Sequence, residues 1–102
     1  MDLVYNVEEI SEKLRPIFES APIYKAILFG SYAKGTARPK SDIDIVIDSR
    51  GEIRGIDFFG ILEDVSQAFQ VPVDLIEASQ LVEGGRTHSE VANMGVVIYE
   101  RL

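Results

Sequence analysis

Apolar positions recur along the chain with two alternating periods, and the alternation predicts the order of its elements. From Asn6 to about Ser20, Val7, Ile10, Leu14, Ile17 and Phe18 fall three and four residues apart, one stripe on a helix. Asn6 can cap that helix, and Glu9 three residues on completes a capping box. Pro16 interrupts the pattern and is expected to kink the last turn or divide the helix there. Pro22 marks a break before a strand, Lys25 to Phe29. A short helical turn is predicted over Ser31 to Lys34, a loop over Gly35 to Ser41, and a β-branched strand over Ile43 to Asp48. In that strand Ile43, Ile45 and Ile47 share one face, while Asp42, Asp44, Val46 and Asp48 share the other.

Ser49 to Gly55 reads as a polar connection. A second long helix follows, roughly Ile56 to Phe69, with Phe58, Ile61, Leu62, Val65 and Phe69 at helical spacing. Val71 to Ile76 is predicted as a third strand, with Pro72 near its start, where a missing donor is tolerated. Ala78 to Met94 is mixed and helical in part, broken at Gly84-Gly85, and Val96 to Tyr99 closes the chain as a strand. Helix, strand, short helix, strand, helix, strand, helix, strand is the order of an α/β (α+β) domain: a small mixed sheet of about four strands flanked by helices.

The 102 residues are expected to make one domain over 1–102. A hydrophobic fraction of 46% and a charged fraction of 26% are ordinary for a globular protein. The formal net charge of −7 argues against broad nucleic-acid binding, which needs a basic face. It leaves room for a nucleotide whose charge is met by a cation and a few local basic groups. Without cysteine there is no disulfide, zinc thiolate or thiol chemistry. MDLVYNVEEI lacks the basic start and apolar run of a secretory signal, and no apolar run approaches a membrane span. A cytoplasmic location and no membrane partner are the expectation.

Candidate chemistry gathers in FGSYAKGTARPKSDID, Phe29 to Asp44. Gly30 ends an apolar strand, and a glycine there lets the backbone approach a ligand closely. Backbone N–H groups after it can hold phosphate oxygens, and Ser31 adds a hydroxyl. Asp42 and Asp44, two residues apart, point the same way, about 6.6 Å apart. Such a dyad suits Mg²⁺ held together with substrate phosphates. If the third strand pairs beside Ile43 to Ile47, Asp74 joins them in one acidic pocket. A phosphate cradle beside metal-binding carboxylates is equipment for phosphoryl or nucleotidyl transfer.

Each residue has a plainer reading. Asp42 is also what a turn after Ser41 would use. Asp44 has no such excuse inside a β-branched run, and an aspartate there is costly unless paired, hydrogen-bonded or metal-bound. Gly30-Ser31 taken alone is an ordinary strand-to-helix turn, and Asp74 alone an edge residue facing water. Lys34, Arg38, Lys40 and Arg86 could meet an anion, but each singly is as readily a solvated charge. His88 reads as a surface or helix residue. Tyr5, Tyr24, Tyr32 and Tyr99 read as packing groups, with Tyr32 next to Ser31 a weak candidate for lining the site.

FGSYAKGTARPKSDIDIVI followed by VDLIE resembles the nucleotidyltransferase superfamily of the polymerase β type, in its single-domain form the prokaryotic minimal nucleotidyltransferases. Lys34 stands where relatives often carry arginine. The resemblance implies that Gly30 and Ser31 bind the triphosphate of ATP, that Asp42 and Asp44 bind one or two Mg²⁺ ions, and that Asp74 is the third acidic residue. It also implies a partner, a helical HEPN toxin with ribonuclease activity. The nucleotidyltransferase acts as the antitoxin of such a pair, in some cases by moving AMP from ATP to a tyrosine of the toxin. On this reading the ions offset the charge of the leaving pyrophosphate and activate the acceptor hydroxyl, with Asp74 as an alternative base. Two other functions compete. One is a small-molecule nucleotidyltransferase of the antibiotic-modifying kind, which needs a homodimer to build its acceptor pocket. The other is a non-catalytic antitoxin that neutralises its partner by binding alone.

Overall fold

The computed structural model describes residues 4–101. Its elements are α1 (Val7–Glu19), β1 (Lys25–Phe29), α2 (Gly30–Lys34), β2 (Ile43–Asp48), α3 (Ile56–Gln67), β3 (Val73–Glu77), a 3₁₀ turn (Ala78–Gln80), α4 (Arg86–Met94) and β4 (Val96–Glu100). The predicted α/β order holds in full. The opening residues 1–3 of the stretch read as free of an export signal lie outside the described residues, as does residue 102. Among the described residues no helix is long and apolar enough to cross a membrane.

α1 starts where its capping box says it should. The Asn6 side chain accepts from the Glu9 N–H at 2.8 Å, and Glu9 Oε1 accepts from the Asn6 N–H at 3.0 Å. Pro16 does not divide it; the helix runs unbroken to Glu19. Its far end is tied down by Arg101, whose guanidinium donates to the carbonyls of Phe18, Glu19 and Ala21 at 3.1, 3.1 and 3.2 Å. The carbonyls of Phe18 and Ala21 also accept from the N–H groups of Ala21 and Ile23, so the guanidinium adds to their partners, and a cation placed there meets the helix dipole.

The sheet has the order β3-β2-β1-β4. β1 pairs antiparallel with both β2 and β4, and β2 pairs parallel with β3 through the α3 crossover. The sheet is therefore mixed, with β3 and β4 at its edges. One face buries Ala26, Leu28, Ile43, Ile45 and Ile47 in a single core with Ile10, Leu14 and Phe18 of α1 and Val65 of α3. Each of the three β2 isoleucines has 0% exposure, as the period-two pattern requires. Tyr5 closes one edge of this core: its ring meets Phe69 edge-on at 5.0 Å, and its hydroxyl accepts from the Gln70 N–H at 3.0 Å.

Some boundaries and burials depart from the sequence pattern. β3 begins at Val73 and not Val71, because Pro72 lies just outside it and offers only its carbonyl, which accepts from the Ile43 N–H at 2.9 Å. α3 stops at Gln67, and Phe58, Ile61 and Leu62 are only half-buried. The connection read as polar, Ser49 to Gly55, hides Ser49 at 0% and Ile53 at 4% exposure. Tyr5, Tyr32 and Tyr99 pack as expected, whereas Tyr24 is half-buried, stacks against Arg50 with the guanidinium carbon 4.0 Å from the ring centre, and donates its hydroxyl to Glu52.

Candidate active site

β1 ends at Phe29, and the chain turns at once into α2 through Gly30, whose φ is +73°. That angle favours glycine, and the surroundings demand it a second time. A Cβ at position 30 would run into the Asp44 carboxylate, with the Asp44 Cγ at 3.2 Å. The bend and the carboxylate are thus packed directly together, because β1 and β2 are antiparallel and Phe29 is the register partner of Asp44. Ser31 follows, half-buried, and its carbonyl accepts from the N–H groups of Gly35 and Thr36, closing the five-residue helix. The loop beyond closes on itself: the Arg38 N–H donates to Ser41 Oγ at 2.8 Å, and the Ser41 N–H to the Arg38 carbonyl at 2.9 Å. It delivers the chain to Asp42.

The parallel pairing of β2 with β3 sets Asp44 beside Asp74, residue for residue. Side chains so paired share a face on strands about 4.8 Å apart. Asp42 and Asp74 are exposed; Asp44 is half-buried. Burial first, then the charges of Asp74, Asp42 and Glu90, push the Asp44 carboxyl up from its ordinary value to about 6. Every influence acts in one direction. Like charges held together in partial burial make a place where a cation is needed.

The structure brings Gly30, Asp42, Asp44 and Asp74 to one end of the sheet, with Ser31 on the bend. Lys34 turns to Glu90 of α4 instead, Nζ to Oε1 3.1 Å. Arg38 and Lys40 are exposed on the loop, while Tyr32 belongs to the core with its hydroxyl unpartnered. His88 and Arg86 line a separate cavity of about 330 Å³ at the start of α4, with Ile76, Leu81 and Val82. Glu90 was missed by the sequence reading. It lies in no motif, and nothing in the stretch Ala78 to Met94 indicates which of its residues face β2.

Whether these residues suit a divalent cation follows from their chemistry. They are hard oxygen donors, and the half-buried one carries an unmet negative field, which fits Mg²⁺. Among the described residues no three such side chains lie close enough together to hold a metal ion by themselves. An open set is what Mg²⁺ prefers, since it takes one or two carboxylates and completes its shell with phosphates and water.

A glycine bend set against a half-buried carboxylate, with a second aspartate in register on a mixed sheet, fits an enzyme of the nucleotidyl-transfer class. The nucleotidyltransferase domain family matches the chain over residues 7–97, and the chain belongs to that family. It is 40% identical over 43 residues to a candidate protein adenylyltransferase of Methanocaldococcus jannaschii. That match covers 42% of this chain and 46% of the relative, so the chain spans about half the length of the curated protein it matches.

Solved structures share the fold. A toxin–antitoxin complex with AMP-PNP aligns with a TM-score of 0.76 at 22% identity, over 89% of this chain and 73% of that one. A complex from Shewanella oneidensis of a tri-AMPylated HEPN toxin with an MNT antitoxin aligns at 0.70 and 18% identity, over 93% and 73%. A candidate nucleotidyltransferase from Sulfolobus solfataricus aligns at 0.56 and 20% identity, over 93% and 80%.

Proposed function

We propose that this chain transfers AMP from ATP to a hydroxyl group of a partner HEPN toxin, and that it serves as the antitoxin of that pair in the cytoplasm. The observation that carries the reading is the contact of the Gly30 bend with the Asp44 carboxylate, in register with Asp74. Two of the fold neighbours bear on the partner and the nucleotide: one holds AMP-PNP and the other an AMPylated HEPN toxin.

In this mechanism the bare backbone at Gly30 admits the β and γ phosphates close to the turn, and Ser31 supplies a hydroxyl donor beside them. Asp42 and Asp44 would hold Mg²⁺ with the triphosphate, and Asp74 would share in a second ion. When bound, the metal neutralises charge on the leaving pyrophosphate and lowers the pKa of the acceptor hydroxyl. The phosphate turn follows β1 and Asp74 lies on β3, with Asp44 on the strand between them. On this reading an acceptor would enter on the Asp74 side, and Asp74 would be an alternative base for the hydroxyl proton.

Purified protein, incubated with Mg²⁺, α-labelled ATP and the HEPN protein encoded next to it, should label that protein. Asp44→Asn should abolish the labelling with the circular dichroism spectrum unchanged. Labelling that survives the substitution removes the metal role of Asp44. Neutralisation of the partner without ATP points instead to inhibition by contact.

A further inference from the structure

Glu90 sits in the middle of α4, outside every motif, yet its charge is felt at Asp44. Its side chain is 25% exposed, and its one ion-pair partner among the described residues is Lys34 at 3.1 Å. Lys34 is the last residue of α2, three positions beyond Ser31, which places the two on the same side of that turn. α2 and α4 are otherwise in contact. One lysine thus stands between the phosphate turn and a carboxylate on a different helix, and in the free protein it is committed to the carboxylate.

A triphosphate has the stronger claim on that lysine. It offers more charge and several acceptor oxygens in charge-assisted hydrogen bonds. A pair as exposed as Lys34–Glu90, with 42% of the lysine side chain in solvent, is displaced at a cost of no more than about fivefold in affinity. We propose that Glu90 is a positioning residue that holds Lys34 toward α4 in the free protein and yields it to the nucleotide's polyphosphate, so that nucleotide binding unties α4 from α2. The inference rests on the nucleotidyltransferase reading above. It assigns to α4 a response to the nucleotide, although α4 contributes none of the Gly-Ser or aspartate positions.

A double-mutant cycle on the full chain tests it, read by calorimetric binding of AMP-PNP in excess Mg²⁺. Glu90→Gln frees Lys34 and should tighten binding about two- to fivefold, while Lys34→Met should weaken it about tenfold. In the Lys34→Met background Glu90→Gln should change affinity by less than about twofold, because its effect travels through the lysine. Lys34→Gln repeats the cycle should Lys34→Met fold poorly. Amide hydrogen exchange supplies a second reading. α4 amides of the wild type should exchange faster once the analogue is bound, and those of Glu90→Gln should be fast from the start. Equal tightening in both backgrounds means that Glu90 repels phosphate directly and overturns the proposal. So does weaker binding in Glu90→Gln, or α4 protection that rises with nucleotide. A wild-type protein that binds no AMP-PNP removes the nucleotidyltransferase reading and this inference together; intact binding with a flat cycle removes the inference alone.

Discussion

Asp44 and Glu77 are acidic residues on adjacent strands, both drawn at least partly out of water, and the fold treats them in opposite ways. Burial pushes both carboxyls up. At Glu77 the push is more than reversed by donors. Oε2 accepts from the Ser49 N–H at 3.0 Å and from the Ser49 hydroxyl, and Oε1 accepts from the Ser79 N–H at 2.9 Å. The carboxyl of Glu77 consequently lies below its ordinary value. At Asp44 the neighbours are other carboxylates, and its pKa reaches about 6. A buried acid supplied with donors is a structural tie, here between the end of β2 and the end of β3. A half-buried acid set among other carboxylates is a place where a cation would be stabilised.

The largest expected effect separates the two at the level of chemistry. Gly30→Ala drives a Cβ into the Asp44 carboxylate at a backbone angle that alanine resists. The labelling rate should fall about 100-fold or more, since small misplacements of reacting groups cost that much. Unfolding should shift by only about 1–3 kcal/mol, the strain of a single unfavourable backbone position. A rate within tenfold of wild type would mean that the bend does not set the position of Asp44.

The next effect falls on stability. Glu77→Ala strands the buried N–H and hydroxyl of Ser49, and removes the partner of the Ser79 N–H, and should cost about 2–3 kcal/mol. In a chain of this size that lowers the melting temperature by about 10–20 °C. A melting point close to wild type would show that water satisfies those donors and that Glu77 is no tie.

The smallest effect lies in the pH dependence, where the two acids pull against each other. The folded pKa of Asp44 is above its ordinary 3.8, so the fold disfavours the charged form. Its contribution is therefore a cost, absent below the unfolded pKa, growing as pH rises through about 6 and constant above. Asp44→Asn should accordingly stabilise the fold at pH 7 by about 1 kcal/mol, a figure reduced for the solvent that reaches the site, and by nothing near pH 4. Glu77 has its folded pKa lowered, so its stabilisation is present above the unfolded pKa and is lost as pH falls through the folded one. Adding Mg²⁺ at pH 7 should raise the wild-type melting temperature and leave that of Asp44→Asn unmoved. Equal Mg²⁺ responses would place the ion elsewhere.

Much of this was legible in the residues. The alternation of Ile43, Ile45 and Ile47 with Asp42, Asp44 and Asp48 states both the strand and its two faces, because a side chain's face depends only on its parity along a strand. Gly-Ser at a strand end announces a bend. Pro16 does not end the helix, because a helix packed through Leu14 and Phe18 can carry a proline that it would not tolerate alone. The Ser49–Glu77 tie was hidden because its partners lie 28 residues apart, and a serine looks the same in sequence whether buried or wet. Glu90 was hidden for a similar reason: a charge on a helix of mixed pattern acquires meaning from the lysine it meets.

Taken by itself, the chain determined its elements, the core-facing side of β2 and the two short motifs, since all of these follow from spacing along one segment. Only the tertiary structure decided that β3 runs parallel to β2 with Asp74 level with Asp44, that Gly30 lies against that carboxylate, and that Lys34 is engaged by Glu90. Those are relations between segments far apart in sequence. They depend on which backbones pair and in what register, and local periodicity carries no information about that.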